Sequence, residues 1–414
     1  MTIGLGAMDM DIDMEPSSSA SSMPLHILIV GAGIGGLTAA LALRRRGHNV
    51  EVYEKSRLAQ EAGAAIHLAP NANGLLRRLG LRAEEHGAVE CNGMRELRPD
   101  GSCVYSVDLR PANMMWEHPW HLIHRAHLHG AIKDLATRAD GEGPAVKLHV
   151  SSSVVNVDSS TASITLADGS QPSGDLVVGA DGVHSAARKA ISGNDLQPYD
   201  SGKSAFRFLV PSSLLADDPL TKAHVTPDDC LVMCIANDRR VVIYPCVDKT
   251  MSNVVAIHPS QETATKPGSS NWQETGSKAK MLEVFGTFDA SVRAVLEKAD
   301  ADDVKIWNLL TMDQMPTFVR GKLALIGDAA HPFLPDLGQG GAQAIEDGVS
   351  LAAMLPLGTE PDQISERLLL FERCRYERSH TIQHYTKLAG RDRDSIGPDD
   401  ERVDREYLEL PSNC

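Results

Sequence analysis

The 414-residue chain lacks any apolar run of roughly 18 to 20 residues, the length that a membrane-spanning helix requires. We therefore expect no membrane span. Basic residues are also in short supply, because 40 Lys and Arg stand against 55 Asp and Glu, a formal net charge of −15. A surface of this sign repels phosphate groups, which disfavours a nucleic-acid partner.

Cysteine pairing patterns are absent as well. The seven cysteines are odd in number, are scattered along the chain and form no C-x-x-C. Such cysteines are typical of reduced thiols, so we expect a cytoplasmic protein. The first 23 residues contain no Lys or Arg, which fits neither a secretory signal nor a transit peptide. We expect residues 1–23 to form a disordered acidic leader.

A glycine-rich turn follows the first apolar segment. "LHILIV" at 25–30 predicts a buried strand, the next segment has helical periodicity, and "EVYEK" predicts a second strand. Gly31, Gly33 and Gly36 form G-x-G-x-x-G between strand and helix, and Glu54 ends the second strand. This arrangement predicts a dinucleotide site, with the pyrophosphate at the helix N-terminus and Glu54 on a ribose with free hydroxyls. NAD and FAD both fit that description.

Two further buried strands end in an acidic residue. "DLVVGADG" at 175–182 ends with Asp181, and "KLALIGDAAH" at 322–331 contains Asp328 three residues before His331. The segment between them has a β-strand pattern. "DDCLVMCIANDRRVVIYPCVD" predicts a strand pair around an Asn-Asp turn, followed by a polar loop at 258–278. We infer an α/β framework that carries a β-rich insertion, followed from about residue 361 by an amphipathic helical segment.

Asp328 and His331 admit three interpretations. A hydrolytic pair would need a nucleophile, and the chain contains no G-x-S-x-G elbow. Alternatively, Asp328 caps a helix, or it binds a cofactor sugar. A metal site is disfavoured for the run of histidines in "EHPWHLIHRAHLHG", because a strand-to-helix change near Arg125 would point those rings in several directions. That run contains His118, His121, His124, His127 and His129.

Three segments together carry a family resemblance: "VGAGIGGLTAALALRRRGHNVEVYEK", "DLVVGADGVHSAAR" and "ALIGDAAHPFLPDLGQGGAQAIEDGVSLA". In this order and at these separations, they resemble the single-component FAD-dependent aromatic monooxygenases (class A), in the salicylate-hydroxylase-like branch. The likeness runs from about residue 24 to about 390. It implies a Rossmann-like FAD-binding domain of glutathione-reductase type, with an inserted β-rich substrate domain and a C-terminal helical segment.

The resemblance also implies domain boundaries. The FAD-binding domain would comprise residues 24–195, which lend strands around 92–118 to the substrate domain, and residues 304–360. The substrate domain would span 196–303, and the helical segment 361–414. The shorter chain form fits this branch and leaves a monomer and a homodimer both open.

Cofactor contacts follow by matching motifs. The resemblance implies that Glu54 binds the adenosine ribose and that Arg125, at the start of a helix, reaches FAD. Asp181 and Gly182 would lie on the cofactor side, and Arg188 would orient the pyrophosphate. These residues would form the adenosine and phosphate half of the site.

The second half would surround the flavin ring. Asp328 would bind a ribitol hydroxyl, Pro332 would lie against the flavin, and the segment from Gly338 through Gly340 to Gly341 would present helix N–H groups to its N1–C2=O edge. Ala65, in "GAAIHLAPNANGLLRRLG", lies in the stretch that would line the opposite side.

The implied activity is hydroxylation of a phenolic or aromatic substrate through a flavin C4a-hydroperoxide, with NADPH or NADH and O₂ as co-substrates. In the β-rich insertion, Arg207 would bind a phenolate or carboxylate and Tyr244 would hydrogen-bond the substrate. A solvated strand position for Arg207 and plain core packing for Tyr244 are the alternatives. An FAD-dependent epoxidase of an olefinic natural product, or a non-catalytic protein that retains the FAD fold, also remain open. A halogenase is disfavoured by the absence of W-x-W-x-I.

Overall fold

The computed structural model describes residues 23–58, 64–193, 196–224, 229–263 and 275–395. The expected disordered leader lies outside these ranges apart from Met23, as do most of the polar loop and the last residues of the C-terminal segment. None of the described helices is long and apolar enough to cross a membrane.

The described strands are β1 His26–Val30, β2 Asn49–Tyr53, β3 Ala65–Leu68, β4 Val89–Glu90, β5 Gly93–Leu97, β6 Cys103–Asp108, β7 His121–His124, β8 Lys147–His149, β9 Val154–Asp158, β10 Ser163–Leu166, β11 Leu176–Gly179, β12 Tyr199–Pro211, β13 Cys230–Ile235, β14 Arg240–Cys246, β15 Met251–Pro259, β16 Lys305–Thr311, β17 Val319–Arg320 and β18 Leu323–Leu325. The α-helices are α1 Ile34–Arg45, α2 Pro70–Arg78, α3 Arg110–Met115, α4 Arg125–Thr137, α5 Lys189–Ser192, α6 Ser212–Ala216, α7 Lys278–Val284, α8 Ala290–Glu297, α9 Gly340–Met354 and α10 Ile364–Ala389.

The first sheet has the order β17-β18-β11-β1-β2-β8 and is parallel except for the edge pair β17–β18. Its central strands are apolar throughout because helices cover them, and β1 and β11 are buried along almost their whole length. The carboxyl ends of β1, β11 and β18 lie side by side. The glycine turn and both strand-end acids therefore meet at one edge.

The second sheet has the order β16-β12-β15-β14-β13-β5-β6 and is antiparallel except between β13 and β5. The Asn-Asp turn joins β13 to β14, and the two strands pair as the sequence predicts. Helices α7 and α8 pack on this sheet through a second apolar core that includes Phe206, Phe285 and Val292.

The chain crosses between the two sheets at points that differ in part from the expected boundaries. Strands β5 and β6, within residues 92–118, lie in the second sheet. Strand β16 also pairs there with β12, so the chain returns to the first sheet only at β17 and not at residue 304. Pairing of β16 with β12 is a tertiary contact between segments about 100 residues apart, and the sequence of β16 alone does not indicate which sheet it joins.

Candidate active site

A large cavity lies between the first and the second sheet. It encloses about 2260 Å³ and is bordered by the glycine turn, both strand-end acids and the inner face of the second sheet. Pockets for one drug-sized ligand usually measure about 300–1,000 Å³. The cavity therefore has room for a dinucleotide and a second small molecule together.

The three glycines of the first turn have different steric roles. Gly31 has a φ of +99°, and a Cβ on it would lie 2.4 Å from the Ala180 oxygen. A Cβ on Gly36 would lie 2.1 Å from the Gly31 oxygen, so only glycine lets α1 pack this close to the turn. Gly33 borders the cavity, and a Cβ there would meet nothing within 4 Å. Gly33 thus faces open space, as close backbone approach to a pyrophosphate requires.

Glu54 lies directly after β2 and already holds the turn in place. Its two carboxylate oxygens accept hydrogen bonds from the Ala32 N–H at 2.9 Å and the Ser56 N–H at 2.8 Å. A carboxylate can accept further bonds, so a ribose contact is compatible with this arrangement. The neighbouring Lys55 and Ser56 border the cavity.

Hydrogen bonds to the Asp181 carboxylate fix the conformation of the loop that begins at Asp181 and Gly182. The Asp181 carboxylate accepts bonds from the Ser185 hydroxyl at 2.5 Å and from the N–H groups of Ala186 at 2.7 Å and Ala187 at 3.1 Å. Asp181 and Gly182 border the cavity. The carboxylate therefore shapes the loop, and the loop backbone is what faces a ligand.

The Arg188 side chain binds backbone carbonyls, whereas the resemblance implied that it would orient the pyrophosphate. The side chain is buried and donates to the carbonyls of Ala329 at 2.8 Å, Asp328 at 2.9 Å and Val183 at 2.9 Å. Its guanidinium thus joins the Asp-Gly and Gly-Asp segments, which are about 140 residues apart in the chain. The spacing of "DGVHSAAR" gave no sign of these carbonyl partners.

His331 does not pair with Asp328. Its Nε2 lies 2.7 Å from Asp347 of α9, and the same carboxylate accepts bonds from the Gly327 N–H at 2.8 Å and Arg375 Nε at 2.7 Å. Burial raises the pKa of Asp347, but the charges of His331 and Arg375 and these bonds bring it down to about 2. His331 is therefore part of a buried network behind the cavity.

Asp328, in contrast to His331, presents its carboxylate to the cavity. It borders the cavity, and its carboxylate accepts no hydrogen bond from the described residues. Burial raises its pKa, while the charges of His331, Arg125 and Arg188 oppose that rise. The side chain is only half-buried, so its carboxylate is reachable from the cavity, and an unpaired carboxylate in this position suits a ligand with hydroxyl groups. The residues present fit FAD, whose ribitol would supply them.

The N-terminus of α9 forms the next part of the wall. Gly338 has a φ of +63°, and Gly338, Gly340 and Gly341 border the cavity. Pro332 does not border it: it is buried, and its carbonyl accepts a bond from Gln383 Nε2 at 2.7 Å. Phe333 and the residues up to Leu337 occupy the wall instead. Pro332 therefore does not lie at the cavity wall, where its predicted flavin contact would require it, and the turn that follows it does.

Ala65 opens β3 on the facing wall, and both of its backbone groups are satisfied. Its N–H donates to Asn253 Oδ1 at 3.0 Å, and its carbonyl accepts from the Tyr244 hydroxyl at 2.7 Å. Burial raises the pKa of Tyr244. The Tyr244 hydroxyl proton is therefore used in the hydrogen bond to Ala65. Its oxygen can still accept a hydrogen bond from a substrate.

Arg207 is not a solvated strand residue. It lies on β12, is 4% exposed and borders the cavity, with its guanidinium carbon 4.5 Å from the centre of the Trp307 ring. Burial and the charge of Arg125 lower its pKa to about 10, so it remains cationic at neutral pH. A buried cation stacked on an aromatic ring can bind an anionic or polarised aromatic ligand.

His67 is a site residue that the sequence analysis did not single out. It borders the cavity from β3, and a Cβ on Gly338 would lie 2.5 Å from its Nδ1. Neither ring nitrogen makes a hydrogen bond to a described residue, and burial lowers the pKa to about 4. A histidine inside the apolar strand "AIHL" was the available signal.

The histidine run of 118–129 spreads over several surroundings, as the strand-to-helix change between β7 and α4 requires. His129 Nε2 lies 2.7 Å from the Ala32 carbonyl, whereas His121 lies 3.3 Å from the Asn73 amide. Within the part of the chain that the structure describes, no group of three or more His, Cys, Asp or Glu is placed to hold a metal ion.

A parallel sheet with a glycine turn at one edge, a half-buried carboxylate facing the cavity and a second sheet over it are the features of a dinucleotide-binding enzyme. Residues 25–382 match the family model described as "FAD binding domain", and the chain belongs to that family.

Proteins similar in sequence or structure to this chain are FAD-dependent monooxygenases. The chain is 36% identical over 366 residues to the FAD-dependent monooxygenase cfoG of Aspergillus candidus, covering 87% of this chain and 84% of that protein. It is 32% identical over 372 residues to hispidin-3-hydroxylase of Neonothopanus nambi, covering 86% of each. A solved salicylate hydroxylase substrate complex is 25% identical, with a TM-score of 0.75 and coverage of 94% of this chain and 93% of that one.

These findings confirm the expected class and fold. The protein is an FAD-dependent monooxygenase with the fold of salicylate hydroxylase, and NAD(P)H is the co-substrate typical of the class.

Proposed function

We propose that the protein hydroxylates a phenolic or other aromatic small molecule, with NADPH or NADH and O₂ as co-substrates. The observation that carries this proposal is the buried Arg207 stacked on Trp307 in the cavity wall contributed by the second sheet. The names of hispidin-3-hydroxylase and salicylate hydroxylase, both hydroxylases, support the reaction type. The apolar lining around this pair, which includes Met233, Val242 and Leu309, suits an aromatic ring.

FAD supplies the oxygen-activating chemistry when it is bound. The chain's share is to hold the cofactor. We propose that Asp328 accepts a hydrogen bond from a ribitol hydroxyl and that Glu54 accepts one from a ribose hydroxyl. Arg125 would offset the negative charge of the cofactor phosphates. The backbone at Gly33 and at Gly182 would face the phosphates, and the N–H groups at Gly340 and Gly341 would face the flavin N1–C2=O edge.

The remaining residues position the substrate. We propose that Arg207 binds a phenolate or carboxylate and that Trp307 keeps water from that contact. His67 is neutral at physiological pH because burial lowers its pKa to about 4, and its unpaired ring nitrogen can accept a hydrogen bond from a phenolic hydroxyl. A phenol that donates this bond is more electron-rich and so reacts more readily with an electrophilic oxygen.

We also propose a cytoplasmic location. Six of the seven cysteines lie in the described part of the chain, and all six are free thiols. A reducing compartment suits such cysteines.

Phenol-dependent oxidation of NAD(P)H tests the function. The purified yellow holoenzyme is assayed with a panel of phenols, with and without ring carboxylates, and products are examined for oxygen from ¹⁸O₂. We expect stoichiometric label in product for at least one phenol. The Arg207→Gln variant should keep its FAD content and lose at least about tenfold in kcat/KM, since a charge-assisted contact is removed. Unlabelled products throughout, or full turnover by Arg207→Gln, would contradict the proposal.

A further inference from the structure

A second, smaller cavity adjoins the substrate half of the main one. It measures about 310 Å³, enough for one aromatic ring, and shares part of its wall with the main cavity. The shared residues come from β14, β15, β16, the segment before α9 and the segment after α10. They are Arg240, Ile257, Leu309, Leu334, Asp336 and Arg391. The small cavity therefore lies directly against the substrate chamber.

A buried ion pair stands in this shared wall. Arg240 Nη1 lies 2.8 Å from Asp336 Oδ1, with side-chain exposures of only 11% and 6%. Arg240 also donates to the carbonyls of Ala389 at 3.1 Å and Gly390 at 3.3 Å, where α10 ends. The pair thus joins the second sheet, the turn that leads to Gly338, and the segment after α10.

Basic side chains outnumber acidic ones around the small cavity: Lys203, Arg240, Lys387 and Arg391 line it, against Asp336 and Asp392. Arg240 pairs with Asp336 and Lys203 with Asp392, and Arg391 has a partner of its own, so the excess positive charge is that of Lys387. The whole chain carries −15, so this excess is opposite in sign to its net charge. A cationic recess on an acidic protein concentrates anions and raises their rate of association.

Lys387 is the least neutralised of these cations. Its ammonium donates to the Met312 carbonyl at 3.3 Å and forms no ion pair with any carboxylate of the described residues. Lys203, by contrast, lies 2.6 Å from Asp392 Oδ1 and also donates to the Asp238 carbonyl. Removing the charge of Lys387 therefore lowers the local positive charge, and removing that of Asp392 raises it.

We propose that this small cavity is an anion-binding vestibule through which an anionic aromatic substrate, a carboxylate or phenolate, reaches the chamber at Arg207. The inference rests on the proposed function for the identity of the ligand. The vestibule itself rests on the adjoining cavity and its charges. Arg240 and Asp336 line both spaces, and the basic side chains around them supply the attraction.

Anaerobic bleaching of bound FAD measures anion entry without turnover. The holoenzyme is mixed with dithionite, an anionic reductant, and in parallel with photoreduced 5-deazariboflavin, which is uncharged. At low ionic strength, Lys387→Gln should slow the dithionite reaction about threefold and Asp392→Asn should speed it by a similar factor. Lys322→Gln, which removes a lysine charge from the turn between β17 and β18, is the matched control and should leave both rates unchanged.

Two controls, high salt and the uncharged reductant, show whether the rate differences among the variants arise from charge. We expect the differences to vanish in about 0.5 M salt and never to appear with 5-deazariboflavin, because only charge distinguishes the variants. Equal dithionite rates in Lys387→Gln and the unmodified enzyme would overturn the vestibule, as would equal changes with both reductants. This result stands even if no phenol in the panel is hydroxylated.

Steady-state kinetics identify the natural anion. For carboxylated phenols that are turned over, Lys387→Gln should lower kcat/KM about threefold with kcat unchanged, while uncharged phenols are unaffected. A change confined to the KM for NAD(P)H would assign the vestibule to the phosphates of the nucleotide and overturn the substrate route.

Discussion

Asp181 and Asp328 both follow a buried strand of the first sheet, yet their carboxylates have opposite surroundings. Asp181 accepts three hydrogen bonds from its own loop, whereas Asp328 accepts none from the described residues and borders the cavity. The first carboxylate is structural, and the second is available to a ligand. The distinction arises because Ser185 lies four residues after Asp181, where it reaches the carboxylate.

Substitution of Asp328 tests its availability to the cofactor. Asp328→Ala should weaken FAD binding by roughly 10- to 100-fold, since a hydrogen bond to a charged group contributes about 1.5–3 kcal/mol. Titration of the apoprotein with FAD, followed by flavin absorbance, gives the dissociation constant. Asp134→Ala on the exposed surface of α4 is the control. The preference among phenols should not change once FAD is saturating; an altered preference with unaltered FAD affinity would assign Asp328 to the substrate.

The unpaired imidazole of His67 leads to a pH-dependent prediction. With its pKa lowered to about 4, His67 is neutral throughout the neutral range, so it can accept a hydrogen bond from a phenol but is too weak a base to remove the proton. His67→Phe should reduce kcat/KM for a phenol about fivefold at pH 7, since the loss of one hydrogen bond costs about 1 kcal/mol. The loss should shrink as pH approaches the pKa of the phenol, because a phenolate has no proton to donate to His67. Parallel pH profiles for the two enzymes would show that His67 accepts no hydrogen bond from the phenol.

At the scale of elements, the β1–turn–α1 unit provides a matched pair of glycines. A Cβ on Gly36 would lie 2.1 Å from the Gly31 oxygen, whereas one on Gly33 would meet nothing within 4 Å. Gly36→Ala should therefore push α1 away from the turn and destabilise the whole FAD-binding half, with a clear fall in Tm of the apoprotein. Gly33→Ala should leave the apoprotein Tm unchanged and weaken FAD binding, since the added methyl group occupies the space for the pyrophosphate. Equal Tm losses for both variants would contradict this assignment.

Helix α10 shows an element whose existence follows from sequence and whose contacts do not. Its amphipathic pattern predicts a helix from about 361, and the structure has one at Ile364–Ala389. Nothing in that pattern indicates that Arg375 binds Asp347 and Glu346 on α9, or that Arg378 also binds Glu346. These pairs form only when two helices pack, so they depend on tertiary geometry.

At the scale of the whole molecule, the cofactor site was more predictable than the substrate site. Gly31, Gly33, Gly36 and Asp328 lie in short segments whose strand, turn and helix order fixes their geometry, so the sequence places them at one sheet edge. Arg207 and Tyr244 lie in a twisted antiparallel sheet, where register alone decides which face a side chain occupies. The β16 boundary and the Tyr244–Ala65 bond escaped prediction for that reason.

Buried histidines on both halves of the molecule make its stability depend on pH. His258, in the second sheet, and His380, on α10, each have a pKa lowered to about 4, mainly by burial. Above pH 6.5 both the folded and the unfolded chain hold them neutral, so they contribute nothing. As pH falls from 6.5 toward 4, the unfolded chain binds protons that the folded chain does not. Stability therefore decreases, by about 1.4 kcal/mol per pH unit for each histidine.

His380→Phe separates this effect from general acid sensitivity. Neither ring nitrogen of His380 has a hydrogen-bond partner among the described residues, and the ring packs against Phe318 and Tyr376, so phenylalanine fills the same apolar site. The free energy of unfolding of the variant, from denaturant titrations at pH 5 to 8, should fall less steeply below pH 6.5 by about 1.4 kcal/mol per unit. His86→Gln, on an exposed turn, should retain the slope of the unmodified protein. An unchanged slope in His380→Phe would mean that His380 gains its proton in the folded state as readily as in the unfolded chain.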